Sequence, residues 1–273
     1  MQARAAADLA RLVGEALASL SPTEVQTFHG PRRIALAGRI AAELPATSVV
    51  ERGPRVAAPE QALTGFLRKH GATADMAVQA DGYWVLTKSA PAQTAASLIA
   101  ATLPGVLRRF PWPKSMRWGG TGSLFTWVRP LRRILCILDG ALVPFDLQDG
   151  SDDGHGLASG VLTEGHRFFD PAPFAVTSLA AWQDGLRARR VMVDAAERAR
   201  VIATGLQQLA EARGAAIADD PALLDEVAGL VEWPVPLLGR IDAAYMDLPP
   251  EVMQVSMRVN QRYFALRLPD GTA

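Results

Sequence analysis

The stretch Arg132-Arg-Ile-Leu-Cys-Ile-Leu-Asp-Gly-Ala-Leu-Val-Pro-Phe-Asp-Leu147 decides the fold class. An apolar run over 134–138 meets Asp139-Gly140, and a second apolar run over 141–147 follows. Asp-Gly between two such runs is a strong short-range hairpin signal, so the two strands are expected to be antiparallel neighbours. Just upstream stand Phe110-Pro-Trp-Pro-Lys-Ser-Met-Arg-Trp-Gly-Gly120 and Trp127-Val-Arg-Pro-Leu-Arg-Arg-Ile134. These segments pack cations, Trp, Pro and Gly more densely than a structural connection needs.

Working outward, Leu9, Leu12, Val13, Ala16, Leu17 and Leu20 form one apolar helical stripe, which Ser21-Pro22 ends. Residues 25–40 read as extended chain broken by a turn at Gly30-Pro31. Gly53-Pro54 predicts a further turn. The pattern then gives a short helix over 61–70, a strand over 83–88 and a helix over 92–109 disturbed at Pro104-Gly105. Residues 148–160 are Asp, Gly and Ser with little to bury, which predicts an exposed loop and a lobe boundary. Beyond it a helix is expected over 194–213, with Gly214 at its C-terminal end. A second should start at Asp220-Pro221 and bury Leu223, Leu224, Val227, Leu230 and Val231. Strands are expected over 237–241 and 263–268, the latter as an edge before a Pro269-Asp-Gly271 turn whose mate is missing. The expected class is α+β, mixed helices and mainly antiparallel sheets in two lobes: 1–150, carrying the Arg/Trp-rich loop, and a more helical 151–273.

Hydrophobic residues make up 49% of the 273 and charged ones 21%, the balance of a globular chain with length for a sizeable core. The 28 Lys and Arg match 28 Asp and Glu, so nothing marks a free-standing polyanion binder, and any nucleic-acid contact must rest on a local patch. Cys136 is the one cysteine and lies in an apolar run. It reads as a small buried hydrophobe in a reducing compartment. No apolar run approaches the roughly 20 residues needed to cross a bilayer, and the N-terminus reads as an amphipathic helix. A cytoplasmic location without membrane association is expected.

Two readings apply to Lys114, Arg117, Arg129, Arg132 and Arg133, interleaved with Trp112, Trp118 and Trp127. The cations and rings form a surface for RNA or a protein partner, or the Trp side chains are core and the Arg side chains form ion pairs at a strand entrance. Glu164, His166 and Arg167 are the place to look for acid–base chemistry, since a carboxylate two residues away could orient the imidazole. No nucleophile completes such a site, so a structural or contact role for His166 stands beside it. Trp233 reads as a packing anchor behind a helical face, and Arg258, Gln261, Arg262 and Tyr263 form a polar cluster before the last strand. No metal-ligand spacing, P-loop or dinucleotide fingerprint is present.

Further fragments line up in order: Gly30-Pro-Arg-Arg-Ile34, Glu51-Arg-Gly-Pro54, Glu164-Gly-His-Arg-Phe168, Leu230-Val-Glu-Trp-Pro-Val235 and Ser256-Met-Arg-Val-Asn-Gln-Arg-Tyr-Phe264. Together with the Arg/Trp-rich loop, and spread along nearly the whole chain, they resemble the β subunit of the bacterial α2β2 glycyl-tRNA synthetase. The resemblance implies an N-terminal portion of a larger subunit, because the family's usual opening strand and long C-terminal half have no counterpart here. It also implies an aminoacyl-tRNA ligase that acts as a heterotetramer. ATP and Mg2+ would be used on the α subunit, and this chain by itself would hold no cofactor or metal and perform no catalysis. The implied partners are the α subunit and tRNA(Gly). Candidate contacts are Lys114, Arg117, Trp118, Arg129, Arg132, His166, Arg167, Arg258, Gln261 and Arg262. Asn260 stands where the family carries His, which argues against chemistry at that spot. The rival readings are a stand-alone RNA-binding or assembly module and a small hydrolase using Glu164 and His166.

Overall fold

The computed structural model describes residues 1–119, 122–245 and 247–267. Helix α1 (Gln2–Ala16) is followed by a 3-10 turn over Ala18–Leu20. Ala5, Ala6, Leu17 and Leu20 are buried and Leu9, Leu12 and Val13 half-buried, as the stripe requires. Ser21, with a left-handed φ of 51°, redirects the chain into β1 (Thr23–His29). Its antiparallel mate β2 (Ile34–Arg39) sets His29 opposite Ile34, with Gly30-Pro-Arg-Arg33 as the turn.

Next come β3 (Glu43–Leu44), β4 (Thr47–Arg55) and α2 (Glu60–His70). The turn expected at Gly53-Pro54 is instead a register shift inside β4, between Arg52 and Arg55. A bulge absorbs the proline's missing N–H. Gly53 lies so close under Phe66 of α2 that a Cβ there would come within 2.8 Å of the ring. Strand β5 (Ala77–Ala80), not foreseen, and β6 (Tyr83–Ala90) complete an antiparallel sheet in the order β4-β6-β5. Strand β7 (Gln93–Thr94) pairs with β3. Helix α3 (Ala95–Arg108) begins three residues later than predicted, because Thr94 Oγ1 accepts the Ser97 N–H and fixes the N-cap. It runs unbroken through Pro104. One backbone bond is lost there, and packing of Ile99 and Leu103 into a core keeps the helix together.

The strand expected over 134–138 divides at Cys136. Strand β8 (Ile134–Leu135) pairs in parallel with a later strand, whereas β9 (Ile137–Leu138) forms the hairpin with β10 (Ala141–Leu142). Asp139 and Gly140 have φ of 48° and 83°, both positive as a tight hairpin turn demands. The partner strand stops at Leu142 because Phe145 turns to exchange hydrogen bonds with Ser159 of β11 (Ser159–Gly160), the mate of β8. The loop over 148–160 is not uniformly exposed. Asp152, Gly154 and Leu157 are buried, because the loop folds back onto Arg108.

Strands β12 (Leu162–Glu164) and β13 (Pro173–Ala175) form an antiparallel pair. Helix α4 (Leu179–Ala188), not foreseen, is capped by Ser178 and buries Trp182 and Leu186. Helix α5 (Ala195–Glu211) is capped by Asp194. Strand β14 (Ala216–Ile217) leads to α6 (Pro221–Leu230), where Asp220 caps as expected. Leu230, assigned to the buried face, is exposed, and Ala228 takes the inward position as the chain swings Glu232 toward the core. Residues 237–241 are irregular, with Leu237 82% exposed. Helix α7 (Pro250–Ser256) and a π-type turn over Met257–Gln261 lead to β15 (Leu266–Arg267). That strand pairs antiparallel with β14 in a two-stranded sheet. Leu268 and the Pro269-Asp-Gly271 turn lie outside the described residues.

The architecture is α+β, with mostly antiparallel sheets. One apolar cluster joins α1 to the aromatic loop through Ala5, Phe110, Phe125, Trp127 and Leu147. A second joins Leu17 and Leu20 to α3 and Val143, and a third gathers Trp182, Leu186 and Val191 under Phe28 of β1. Leu147→Ala is expected to lower stability by about 2–5 kcal/mol, the range for truncating a fully enclosed leucine. Leu142→Ala, at an exposed position, should stay within about 0.5 kcal/mol of the parent in urea denaturation.

Candidate functional site

The Arg/Trp-rich loop has two sides. Its rings turn inward: Phe110 and Trp127 are buried, Trp112 is half-buried, and their centroids lie 4.8–5.1 Å apart. Trp118, offered as a contact residue, is half-buried and stacks on His155 at 4.2 Å with an edge against Phe125. The cations turn outward. Lys114, Arg117, Arg129 and Arg132 are exposed, and no ion pair engages them among the described residues. The tryptophans are packed inward and Arg133 pairs with Glu164, as the second reading has it, whereas Lys114, Arg117, Arg129 and Arg132 form no such pairs among the described residues.

Arg108, at the end of α3, braces this loop from beneath. Its guanidinium meets Asp152 Oδ2 at 2.8 Å and Asp149 Oδ2 at 2.7 Å, and Asp152 accepts the N–H groups of Leu124 (2.9 Å) and Gly154 (2.7 Å). The Arg108 hydrogen bond, with these amides, holds the Asp152 carboxyl far below the usual range despite the opposing cost of desolvation. Gly154 adopts φ +57°, and a Cβ there would come within 2.6 Å of the Leu147 carbonyl, so only glycine fits the fold-back.

The other fragments meet at a second brace. Glu232, nearly buried just beyond α6, receives Arg33 Nη2 at 2.9 Å and Arg32 Nη1 at 3.5 Å. Arg33 also donates to the Glu164 carbonyl at 3.1 Å, and Arg32 to the Gly165 carbonyl at 3.4 Å. Glu164 takes Arg133 at 2.9 Å and Arg32 at 3.5 Å. Desolvation would raise the Glu164 carboxyl, yet the hydrogen bond from Arg133 and the charges of Arg132 and Arg32 carry it below its ordinary value. Arg198 of α5, 1% exposed, donates to the carbonyls of Ala228 (2.8 Å), Met192 (2.7 Å) and His29 (2.7 Å). The turn over 30–33, the end of β12 and the exit of α6 are thus bound into one network.

The acid–base arrangement considered for Glu164 and His166 does not form. Glu164 is occupied by arginines, and His166 Nδ1 accepts the backbone N–H groups of Phe168 (3.2 Å) and Phe169 (3.4 Å). Two residues apart is too coarse a criterion when a tight turn starts at Gly165. Arg167 is exposed beside this turn. The C-terminal cluster divides: Arg258 pairs with Asp220 and Arg262 with Glu226 at 2.5 Å, both on or capping α6, while Gln261 is exposed. Arg258 and Arg262 therefore brace α6.

Such a constellation offers recognition: exposed cations and hydrogen-bond donors on a surface braced by buried ion pairs. The residues missed from sequence are Glu232, Arg198, Phe168 and Phe169. Glu232 had a legible signal, a lone carboxylate between an apolar helical face and Trp233-Pro234. Arg198 had none, since on α5 it reads as one more surface cation. Glu232→Gln is expected to lower stability by about 3–5 kcal/mol in chemical denaturation, because it leaves Arg33 enclosed without its counter-charge. Adding Arg33→Met should recover part of that loss. Asp152 titrates lower folded than unfolded, so its stabilisation is complete above about pH 4 and drains away as pH falls from there toward its lowered value. Asp152→Asn should be less stable than the parent at pH 7, and the gap should close on acidification.

Comparison with known proteins agrees with the fragments. The family model described as glycyl-tRNA synthetase beta subunit matches residues 1–273. The chain is 50% identical over 278 residues to the glycine–tRNA ligase beta subunit of Phenylobacterium zucineum (strain HLK1), covering 99% of this chain and 40% of that relative. It is 44% identical over 280 residues to the protein of that name from Paracoccus denitrificans (strain Pd 1222), covering 98% and 40%, and 41% identical over 301 residues to that from Rhodospirillum centenum (strain ATCC 51521 / SW), covering 99% and 41%. It thus spans about two fifths of the length of these curated relatives. With the whole of its residues matched, the chain belongs to the glycyl-tRNA synthetase beta subunit family.

Proposed function

We propose that this chain works within the β subunit of a glycine–tRNA ligase and supports ATP-dependent attachment of glycine to tRNA(Gly). It does so by helping to hold the catalytic α subunit and by contacting the tRNA. In this reading ATP and Mg2+ serve glycine activation on the α subunit, within a cytoplasmic α2β2 heterotetramer, and this chain alone makes no glycyl-adenylate. No helix among the described residues is long and apolar enough to cross a membrane.

The observation that carries the reading is the division of the loop over 110–133. Its rings are packed inward, so Lys114, Arg117, Arg129 and Arg132 hold no part of the fold by ion pairing among the described residues. Arginines left unneutralised in a chain of zero net charge suit phosphate oxygens, which they bind in bidentate fashion. Arg167 extends the same chemistry beyond the Glu164 network. Arg258 and Arg262 are already paired, with Asp220 and Glu226, and so are not free in the way these cations are.

Reconstitution of the full-length β chain with its α subunit tests this. Arg117→Ala combined with Arg129→Ala should lower glycine charging through weaker tRNA binding, with folding intact. The slope of log affinity against log salt should flatten by roughly 0.7–0.9 for each phosphate that the variant no longer neutralises. Unchanged charging and an unchanged salt slope would remove these residues from the tRNA path.

A further inference from the structure

The turn between β12 and β13, Gly165-His-Arg-Phe-Phe-Asp170, holds two phenylalanines out in solvent: Phe168 is 81% exposed and Phe169 65%. Every other phenylalanine of the chain is buried or half-buried. Exposing adjacent large rings forgoes burial that folding would favour, so the display calls for a reason.

The turn is built to hold that display. His166 Nδ1 accepts both phenylalanine N–H groups, the His166 N–H donates to the Arg189 carbonyl at 2.9 Å, and the Asp170 N–H donates to the His166 carbonyl at 3.0 Å. The imidazole lies 4.5 Å from the Phe169 ring. At Gly165 a Cβ would fall 2.3 Å from the Asp170 carbonyl oxygen and 2.5 Å from Arg189 Cβ, so the turn closes too tightly for any side chain. A turn fixed in this way loses little freedom when something settles on it.

The surroundings are cationic. Arg167 reaches over the Phe168 ring at 5.7 Å. Around the turn stand Arg32, Arg33, Arg132, Arg133, Arg167 and Arg189 against three carboxylates, Glu164, Glu232 and Asp170, the last 3.8 Å from Arg189. Paired flat rings beside an excess of guanidinium match the chemistry of an unpaired nucleic-acid strand, whose bases stack on aromatics while its phosphates meet arginine. A purely apolar protein partner would account for the rings and leave Arg132 and Arg167, which no ion pair engages among the described residues, without counter-charge.

We infer that Phe168 and Phe169, flanked by Arg167, are a stacking platform for unpaired bases of the tRNA; this deepens, and rests on, the reading that the chain contacts tRNA. The rings are a binding element separate from the cations of the 110–133 loop. They take the bases, and Arg167 takes the adjoining phosphate.

The test uses the α2β2 enzyme with full-length β, a tRNA(Gly) transcript as probe, and two double variants. Phe168→Leu with Phe169→Leu keeps apolar bulk and removes the π faces, whereas Phe168→Trp with Phe169→Trp keeps the faces. The leucine pair should weaken transcript binding about ten-fold or more, raising KM for tRNA, and the tryptophan pair should restore it. Sedimentation should show the leucine pair still assembling with α. Transcript binding by the leucine pair equal to the parent overturns the platform, as does equal weakening by leucine and tryptophan. Loss of α assembly with transcript binding retained overturns it too and makes the turn a protein-docking knob. If Arg117→Ala with Arg129→Ala weakens transcript binding while the leucine pair does not, the platform fails and the tRNA-contact reading stands. If neither does, both fail together.

Discussion

Burying a charge is costly unless the counter-charge comes with it, and the Arg33–Glu232 contact is where this fold meets that constraint. Glu232 lies at the exit of α6 and Arg33 in the hairpin turn between β1 and β2, separated by 199 residues of sequence. Once both are withdrawn from water, neither segment can move without stranding an ion. Arg198 adds a second demand of the same kind. Its guanidinium is satisfied by carbonyls from the end of β1, the chain ahead of α5 and the C-terminal part of α6. These buried donors require the hairpin and the helical second half to meet in one arrangement. The end of β12 is gathered in as well, because Arg32, Arg33 and Arg133 all reach it.

The Arg/Trp-rich loop depends on that arrangement and on its own brace at Arg108 and Asp152. Its rings contribute apolar area and edge-to-face contacts, which stabilise the loop without help from the cations around them. Among the described residues, Lys114, Arg117, Arg129 and Arg132 are thereby left outside the ion-pair network, which Arg133 alone of the clustered cations joins. A surface whose shape is set by aromatic packing and whose charge is free to act is well suited to recognition. The β12–β13 turn follows the same plan in reverse, with polar groups turned inward to fix the backbone and rings turned outward.

Much of the local structure was legible. The stripe from Leu9 to Leu20, the Asp139-Gly140 hairpin and the Asp220-Pro221 helix start each follow from a spacing or a cap confined to a few neighbouring residues. Failures came where a distant partner overrode a local signal. Gly53-Pro54 became a bulge because β6 and the Phe66 ring lie against it. The Asp- and Gly-rich loop after Leu147 looked solvated, yet Arg108 draws Asp152 inside. Cys136 splits a continuous apolar run because its two halves pair with different strands. At the candidate site the cations were picked out by their clustering with Trp in the sequence, which left open whether they are exposed or ion-paired. The pairing of Arg258 and Arg262 on α6, and the inward turn of Trp118, depended on packing.

The sequence by itself determined the helices with clean stripes and caps, the antiparallel hairpins, the α+β class and, through fragments kept in order along the chain, the family. Those properties rest on interactions between residues close in sequence or on the linear pattern itself. Tertiary structure alone decided which charges are buried, which rings are core and which are displayed, and that Glu164 serves arginines while His166 serves its own turn. Burial and ion pairing depend on which atoms replace water around a group. Those atoms here come from segments more than a hundred residues apart.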